Sequence, residues 1–213
     1  MSSASRPNAE AIAEAIAGGG APGGLRERKK ARTKAAIQQH AIRLFRAQGF
    51  AATTVEQVAE AAEVSPSTVF RYFPTKEDLV TTDLVDPVVF AAFEAQPAEL
   101  SLLGAWRNAM MESFARLSDS EVDAERGRGL LALSVPELWA ASLPNITRGI
   151  DTMTELSARR LGREPTDPAV RQTVGAIVGV LLVVALDWVK NPNLDIVPLI
   201  DEALLRLESG TTV

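Results

Sequence analysis

Between Ser65 and Lys76 the sequence reads SPSTVFRYFPTK, a short helix whose chemistry divides by face. Ser67, Thr68, Arg71 and Tyr72 offer hydroxyls and a guanidinium, while Val69, Phe70 and Phe73 are large and apolar, with Val69 and Phe73 four apart on one side. Polar groups of this kind suit a nucleic-acid duplex. Hydroxyls and Tyr reach phosphate oxygens, and Arg forks onto guanine O6 and N7 in the major groove. Lys76 follows in the first turn of the next helix, where its ammonium and outward-pointing backbone N–H groups would together favour a phosphate. Acid–base and metal chemistry have no comparable set. The chain has no Cys, which excludes disulfides and thiolate metal sites, and its one histidine, His40, sits in the middle of an expected helix. A lone His does not make a zinc site, and no Ser or Asp pattern supports a triad. No catalytic residue, metal ligand or cofactor site is expected, so an enzyme ranks last among the readings.

The elements that must position these residues carry their own start signals. Thr53 and Thr54 both fit a capping box, with Glu56 and Gln57 respectively three positions on. Ser65 caps a second helix with Pro66 at its first position, where the missing N–H costs nothing. Pro74 stops that helix, and Thr75 opens a third with Asp78 at the reach-back position, expected to continue to about Val85. Only Ala62, Glu63 and Val64 separate the first two, which describes a helix-turn-helix. Upstream, Arg26 to Gln48 reads as a long helix, with Ile37, Ala41, Leu44 and Phe45 at the spacing of a buried stripe. Arg26, Arg28, Lys29, Lys30, Arg32 and Lys34 load its first turns, where cations oppose the helix dipole. A nearby polyanion would justify them. Gly49 is expected as a left-handed cap, with Phe50 packing back on the helix.

This stretch resembles the DNA-binding domain of the tetracycline-repressor (TetR) family of bacterial regulators. The resemblance spans about Leu25 to Asp83 and includes Ala41 to Phe45 (AIRLF), Gly49-Phe50, Thr53-Thr54 and Phe70 to Glu77 (FRYFPTKE). It implies that Ser67 and Arg71 face bases and that Thr54, Thr68, Tyr72 and Lys76 hold phosphates, with Ser65 opening the contacting segment. It implies a homodimer on a palindromic operator in double-stranded DNA, released by a small-molecule effector. Glu63 departs from the pattern, since the family usually places Gly in that turn. A positive φ there would cost a non-Gly residue on the order of 1 kcal/mol.

Charge supports the same division of labour. The net charge is −5, yet residues 1–80 carry 11 basic and 8 acidic side chains while the remainder carries 11 and 19. From Leu25 to Phe50 eight basic residues stand against Glu27 alone. Attraction to DNA depends on the local field, and the basic end is the end with the helix-turn-helix. No signal peptide is visible, and the longest apolar run, Val174 to Leu186, has 13 residues, short for a bilayer span. A cytoplasmic protein with no membrane partner is expected. Residues 1–24 read as a disordered extension broken by Gly18-Gly19-Gly20 and Pro22-Gly23-Gly24.

The whole chain reads as all-α, with a helix-turn-helix DNA-binding domain over 25–80 and a helical effector-binding and dimerisation bundle over 81–213. Helices are expected at about 99–117, 119–134 and 136–161, the last interrupted at Pro144. Asp167-Pro168 opens another that runs to Lys190, apolar on all sides from Val174 to Leu186 and carrying Gly175 and Gly179 four apart. Ile196, Leu199, Ile200, Ala203, Leu204 and Leu207 form one stripe of a last helix. Helices 167–190 and 196–207 together could form a four-helix interface across a two-fold axis. Trp106, Met110, Phe114, Trp139 and Trp188 are the bulky residues most able to line an effector pocket. The C-terminal half is similar to regulators related to the mycofactocin regulator, some of which respond to acyl-CoA thioesters; its acidity would equally suit an apolar cation. A repressor is expected. The rival readings are an activator of the same fold and a helical sensor whose helix-turn-helix contacts protein.

Overall fold

Cap chemistry and apolar periodicity account for the regular structure of the computed structural model, which describes residues 24–191 and 193–210. Among these residues there are ten helices and no strand: α1 Leu25–Gln48, α2 Val55–Ala61, α3 Pro66–Tyr72, α4 Asp78–Thr81, α5 Asp86–Glu94, α6 Leu102–Ala115, α7 Asp119–Ser134, α8 Pro136–Leu161, α9 Pro168–Lys190 and α10 Ile196–Ser209. The all-α expectation holds. The expected disordered extension lies outside the described residues, apart from Gly24.

The division expected along the sequence, 25–80 and 81–213, differs from the way the described chain clusters. One compact unit takes residues up to Leu84 together with Arg116–Leu143; the other takes Val85–Ala115 and the chain from Pro144 onward. The first unit therefore holds α1 to α4, α7 and the start of α8. Its core draws Ile37, Ala41, Ile42 and Phe45 from α1, Val58 and Ala59 from α2, Val69 and Phe73 around α3, Leu79 and Val80 from α4, then Leu131 and Leu138. Leu131 and Leu138 extend that core beyond the helix-turn-helix, at roughly 1.5–3 kcal/mol for each buried side chain. α7 can lie close on α1 because Gly127 has no side chain: a Cβ there would stand 2.7 Å from Arg46 Cδ and 2.8 Å from Ile42 Cγ2. Arg46 Nη1 donates to Asp123 Oδ2 at 2.6 Å across the same contact.

Three local expectations are corrected. The helix opened by Thr75 is confined to α4 and stops at Thr81, with Thr82 extended at φ −73°, ψ 116°. Gln38 Nε2 donates to the Thr82 carbonyl at 2.7 Å, and Arg128 bonds Asp83 at 2.5 Å, so side chains of α1 and α7 hold this segment out of helix. Gly49 has φ 91° and ψ 149°, a glycine conformation but not the left-handed helical one. Phe50 does pack back, its ring edge-on to Phe45 at 5.0 Å. Pro144 lies inside α8 without ending it.

In the second unit α6 is the central helix. Trp106 is fully buried, stacks on Phe93 at 3.9 Å, meets Phe90 edge-on at 6.2 Å and donates its indole N–H to Ser157 at 3.0 Å. Arg160 places its guanidinium 5.6 Å from the Phe93 ring centroid and donates to the carbonyls of Gln96, Pro97 and Leu100, tying the loop after α5 to α8. Arg107 pairs with Asp201 at 2.5 Å between α6 and α10. Asp167 caps α9 by accepting from Ala169 N at 2.8 Å, and that bond, then Arg163, holds its carboxyl below the usual range. The α9 helix has 23 residues and a mean hydropathy of 2.1 over its most apolar window, enough by length and composition to cross a bilayer, although its unbroken apolar run is only 13 residues.

Candidate nucleic-acid interface

The turn that presents α3 is built by hydrogen bonds between residues close in sequence. Thr54 Oγ1 accepts from Gln57 N at 3.2 Å, and Gln57 Oε1 accepts from Thr54 N at 2.9 Å, the reciprocal capping box that opens α2. Thr53, the other candidate cap, instead donates to the Gly49 carbonyl at 2.8 Å and is buried. Between α2 and α3 the backbone turns at Glu63, whose φ is 54°. The left-handed conformation that family glycine would adopt freely is thus taken by a glutamate. Ser65 then caps α3, accepting from Thr68 N at 3.2 Å, with Pro66 at the first position.

On α3, Val69 and Phe73 are fully buried and fix the rotation of the helix. The opposite side carries Ser67 and Arg71, both exposed, with Thr68 and Tyr72 half-buried beside them. Ser65 Oγ lies 2.9 Å from both Ser67 Oγ and Thr68 Oγ1, so three hydroxyls form one cluster. Ser65 is committed to the cap; Ser67 and Thr68 stand further along the outer face. Arg71 lies 5.2 Å from the Tyr72 ring centroid.

Arg71 and Tyr72 share an open groove of about 560 Å³ with Arg26, Glu27, Lys29, Lys30 and Thr33 of α1. Arg26, Lys29, Lys30 and Thr33 are spaced i, i+3, i+4 and i+7, which is one helical face. That spacing is the signal by which these particular cations could have been singled out from the six that load the first turns of α1. Lys34, one turn further, has its ammonium 5.5 Å from the Phe73 ring, and burial, then Lys30, holds its pKa below the ordinary lysine value. On another face of α1, His40 Nδ1 lies 2.6 Å from Arg43, and burial, then Arg43, lowers its pKa.

Lys76 is placed differently from its expected role. Its ammonium donates to the Phe50 carbonyl and sits 4.3 Å from the Phe50 ring centroid and 5.7 Å from that of Phe45. It fastens the start of the Thr75–Asp78 turn to the end of α1. The five expected pocket residues divide between the two units. Trp106, Met110 and Trp188 are buried in the second unit, Phe114 is half-buried there, and Trp139 belongs to the first unit, 39% exposed.

Comparison with known proteins agrees with this arrangement. Residues 37–81 match the family profile described as bacterial regulatory proteins, tetR family, and residues 100–212 match the MftR C-terminal domain. The HTH-type transcriptional regulator TcmR of Streptomyces glaucescens is 33% identical over 81% of this chain and 80% of its own length. Among solved structures, NalD of Pseudomonas aeruginosa, the secondary repressor of the MexAB-OprM multidrug efflux pump, superposes with a TM-score of 0.56 at 19% identity, covering 85% of this chain and 96% of that one. Thermus thermophilus FadR in complex with lauroyl-CoA superposes with a TM-score of 0.51 at 23% identity, over 84% of this chain and 95% of that one. Taken with the two matched domains, the capped turn and the cationic groove, the chain belongs to the TetR family of bacterial transcriptional regulators.

Proposed function

We propose that this chain is a homodimeric, ligand-responsive repressor that binds a palindromic operator in duplex DNA through α3. The observation that supports it best is the groove in which Arg71 and Tyr72 meet the cations of α1. A duplex wall carries phosphates at close spacing, so cations flanking the recognition helix hold the backbone while Ser67 and Arg71 reach base edges. Thr54, Thr68 and Tyr72 contribute hydroxyls along the same surface, and Ser65 opens the contacting segment from its cap position. Lys76 supports it from behind.

Dimerisation is assigned to α9 and α10, in a cytoplasmic setting. The apolar stripe of α10 is largely spent inward, since Ile196, Ile200 and Leu204 are buried. What remains outward is Gly175 and Gly179, each with nothing within 4 Å of where a Cβ would be, beside exposed Leu182 and Val183, and Leu205 on α10. A glycine pair suits close approach of a second helix better than contact with fluid lipid tails.

The effector is a small, largely apolar molecule taken up among the second unit's Trp106, Met110, Phe114 and Trp188. FadR of the same fold is seen in complex with lauroyl-CoA, whose acyl chain is apolar, and NalD is the secondary repressor of a multidrug efflux pump. Occupancy shifts the dimer toward a spacing that no longer matches two half-sites, with a coupling of roughly 1–3 kcal/mol sufficing. The test is in vitro selection of duplexes by the full chain, followed by titration at several salt concentrations. A palindromic consensus and a steep salt dependence are expected; no enrichment, or salt-independent binding, would overturn the reading.

A further inference from the structure

We propose that Phe70 reads thymine in the operator, its ring packing against the C5-methyl group of a base in the major groove. The proposal rests on the DNA-binding reading above. At 100° per residue, the positions around the outside of α3 run in the order Phe70, Ser67, Arg71, Thr68, Tyr72, with Val69 and Phe73 behind. The Arg71–Tyr72 flank turns to the cations of α1. Phe70 stands on the opposite flank, 47% exposed, while Val69 and Phe73 are fully buried and complete the inner face without it.

The residue is therefore not required to close the core, and it sits beside Ser67 on the surface that faces DNA. A phenyl ring makes no conventional hydrogen bond to a phosphate oxygen or to a base's amino or carbonyl group, and its contacts with them are weak. The major-groove edge of the base pairs offers one apolar group, the thymine methyl. Ser67 and Arg71 read polar edges, so a ring next to them adds a base that hydrogen bonding at these positions leaves unread. The other apolar surface within reach of such a ring is deoxyribose, which carries no sequence information.

The two are separated by removing the methyl alone. A duplex enriched by the full chain from a random pool is remade with uracil replacing thymine at one position of each half-site in turn. At one position the wild-type chain should lose about fourfold in affinity per half-site, the worth of one buried methyl, and about fifteenfold for the symmetric pair. Phe70→Ala should bind the thymine duplex weakly and no longer distinguish it from the uracil duplex, while Phe70→Leu keeps part of the difference. Thermal melting checks that both surface variants fold. Indifference of the wild type to every uracil replacement, an unchanged thymine preference in Phe70→Ala, or a selected half-site without thymine overturns the proposal. A pool in which nothing is enriched overturns the DNA-binding reading itself, and this proposal with it.

Discussion

Arg71 and Lys76 stand five positions apart and carry the same charge, but not the same role. Arg71 is exposed at the outer face of α3; Lys76 is bound to the Phe50 carbonyl and to two aromatic rings. Arg71→Ala should leave the melting temperature unchanged and remove discrimination between the selected duplex and random DNA, at about 1–3 kcal/mol for one forked contact. Lys76→Ala should lower stability by about 1–3 kcal/mol, from a charged hydrogen bond and cation–π contact, and weaken all duplexes alike through a loosened turn. Thermal melts with paired titrations on both duplexes read the two apart. A Lys76→Ala variant with unaltered melting and a flatter salt slope would instead restore its expected place at a phosphate. Glu63 makes a backbone test. At φ 54° a left-handed residue other than Gly carries about 1–2 kcal/mol of strain, whereas Gly in its place loses about 0.4–1 kcal/mol through the unfolded chain. Glu63→Gly should therefore be neutral to slightly stabilising, and Glu63→Val, β-branched at the same φ, should cost more than 1 kcal/mol in denaturant unfolding.

Helices pose a different question, because their ends are written locally and their partners are not. The Thr54–Gln57 box, the Ser65-Pro66 start and the Asp167-Pro168 start all lie within a few residues of sequence, and the structure reproduces each of them. The early stop of α4 is set by Gln38 and Arg128, 44 and 45 positions from the groups they hold, so no local pattern announces it. The same reason hides the fate of the last helix: Ile196, Ile200 and Leu204 make a legible apolar stripe, but periodicity does not say whether it faces its own unit or a second subunit. In the candidate site the residues of α3 were legible from type and spacing. Their junction with Arg26, Lys29, Lys30 and Thr33 needed the packing of α1 on α3. Gly127 is the clearest case at this scale. In sequence it reads as a weak point of α7, and Ala in its place should gain about 1 kcal/mol of helix propensity. In the structure a Cβ would meet buried Ile42 as well as Arg46, an overpacking cost of typically 1–3 kcal/mol. Gly127→Ala should thus lower the melting temperature despite the better helix former. A rise would mean that α1 and α7 separate easily and that the contact is not a fixed part of the first unit.

For the whole molecule the decisive quantity is whether two reading heads are held together, since each half-site alone gives only the affinity of one head. Linking two heads makes the second encounter intramolecular, and the gain is roughly 10²–10⁴-fold without any new contact. Gly179 offers a variant in which assembly and folding pull in opposite directions. Within one chain a Cβ there meets nothing within 4 Å, and replacing Gly inside a helix stabilises it by about 1 kcal/mol. Against a second copy the same side chain would fill the space that close helix approach needs, next to Leu182 and Val183. Gly179→Leu should therefore show an equal or higher protomer melting temperature, a shift toward monomer in sedimentation at micromolar concentration, and about 10²-fold weaker binding to a two-half-site duplex. Binding to a single half-site should be unchanged, because the first unit is untouched. Leu182→Glu should weaken the dimer in the same way by a different route, burying a charge instead of adding bulk. A Gly179→Leu protein that stays dimeric and holds its operator would move the two-fold axis off this face of α9, and the exposed glycines would then need another occupant.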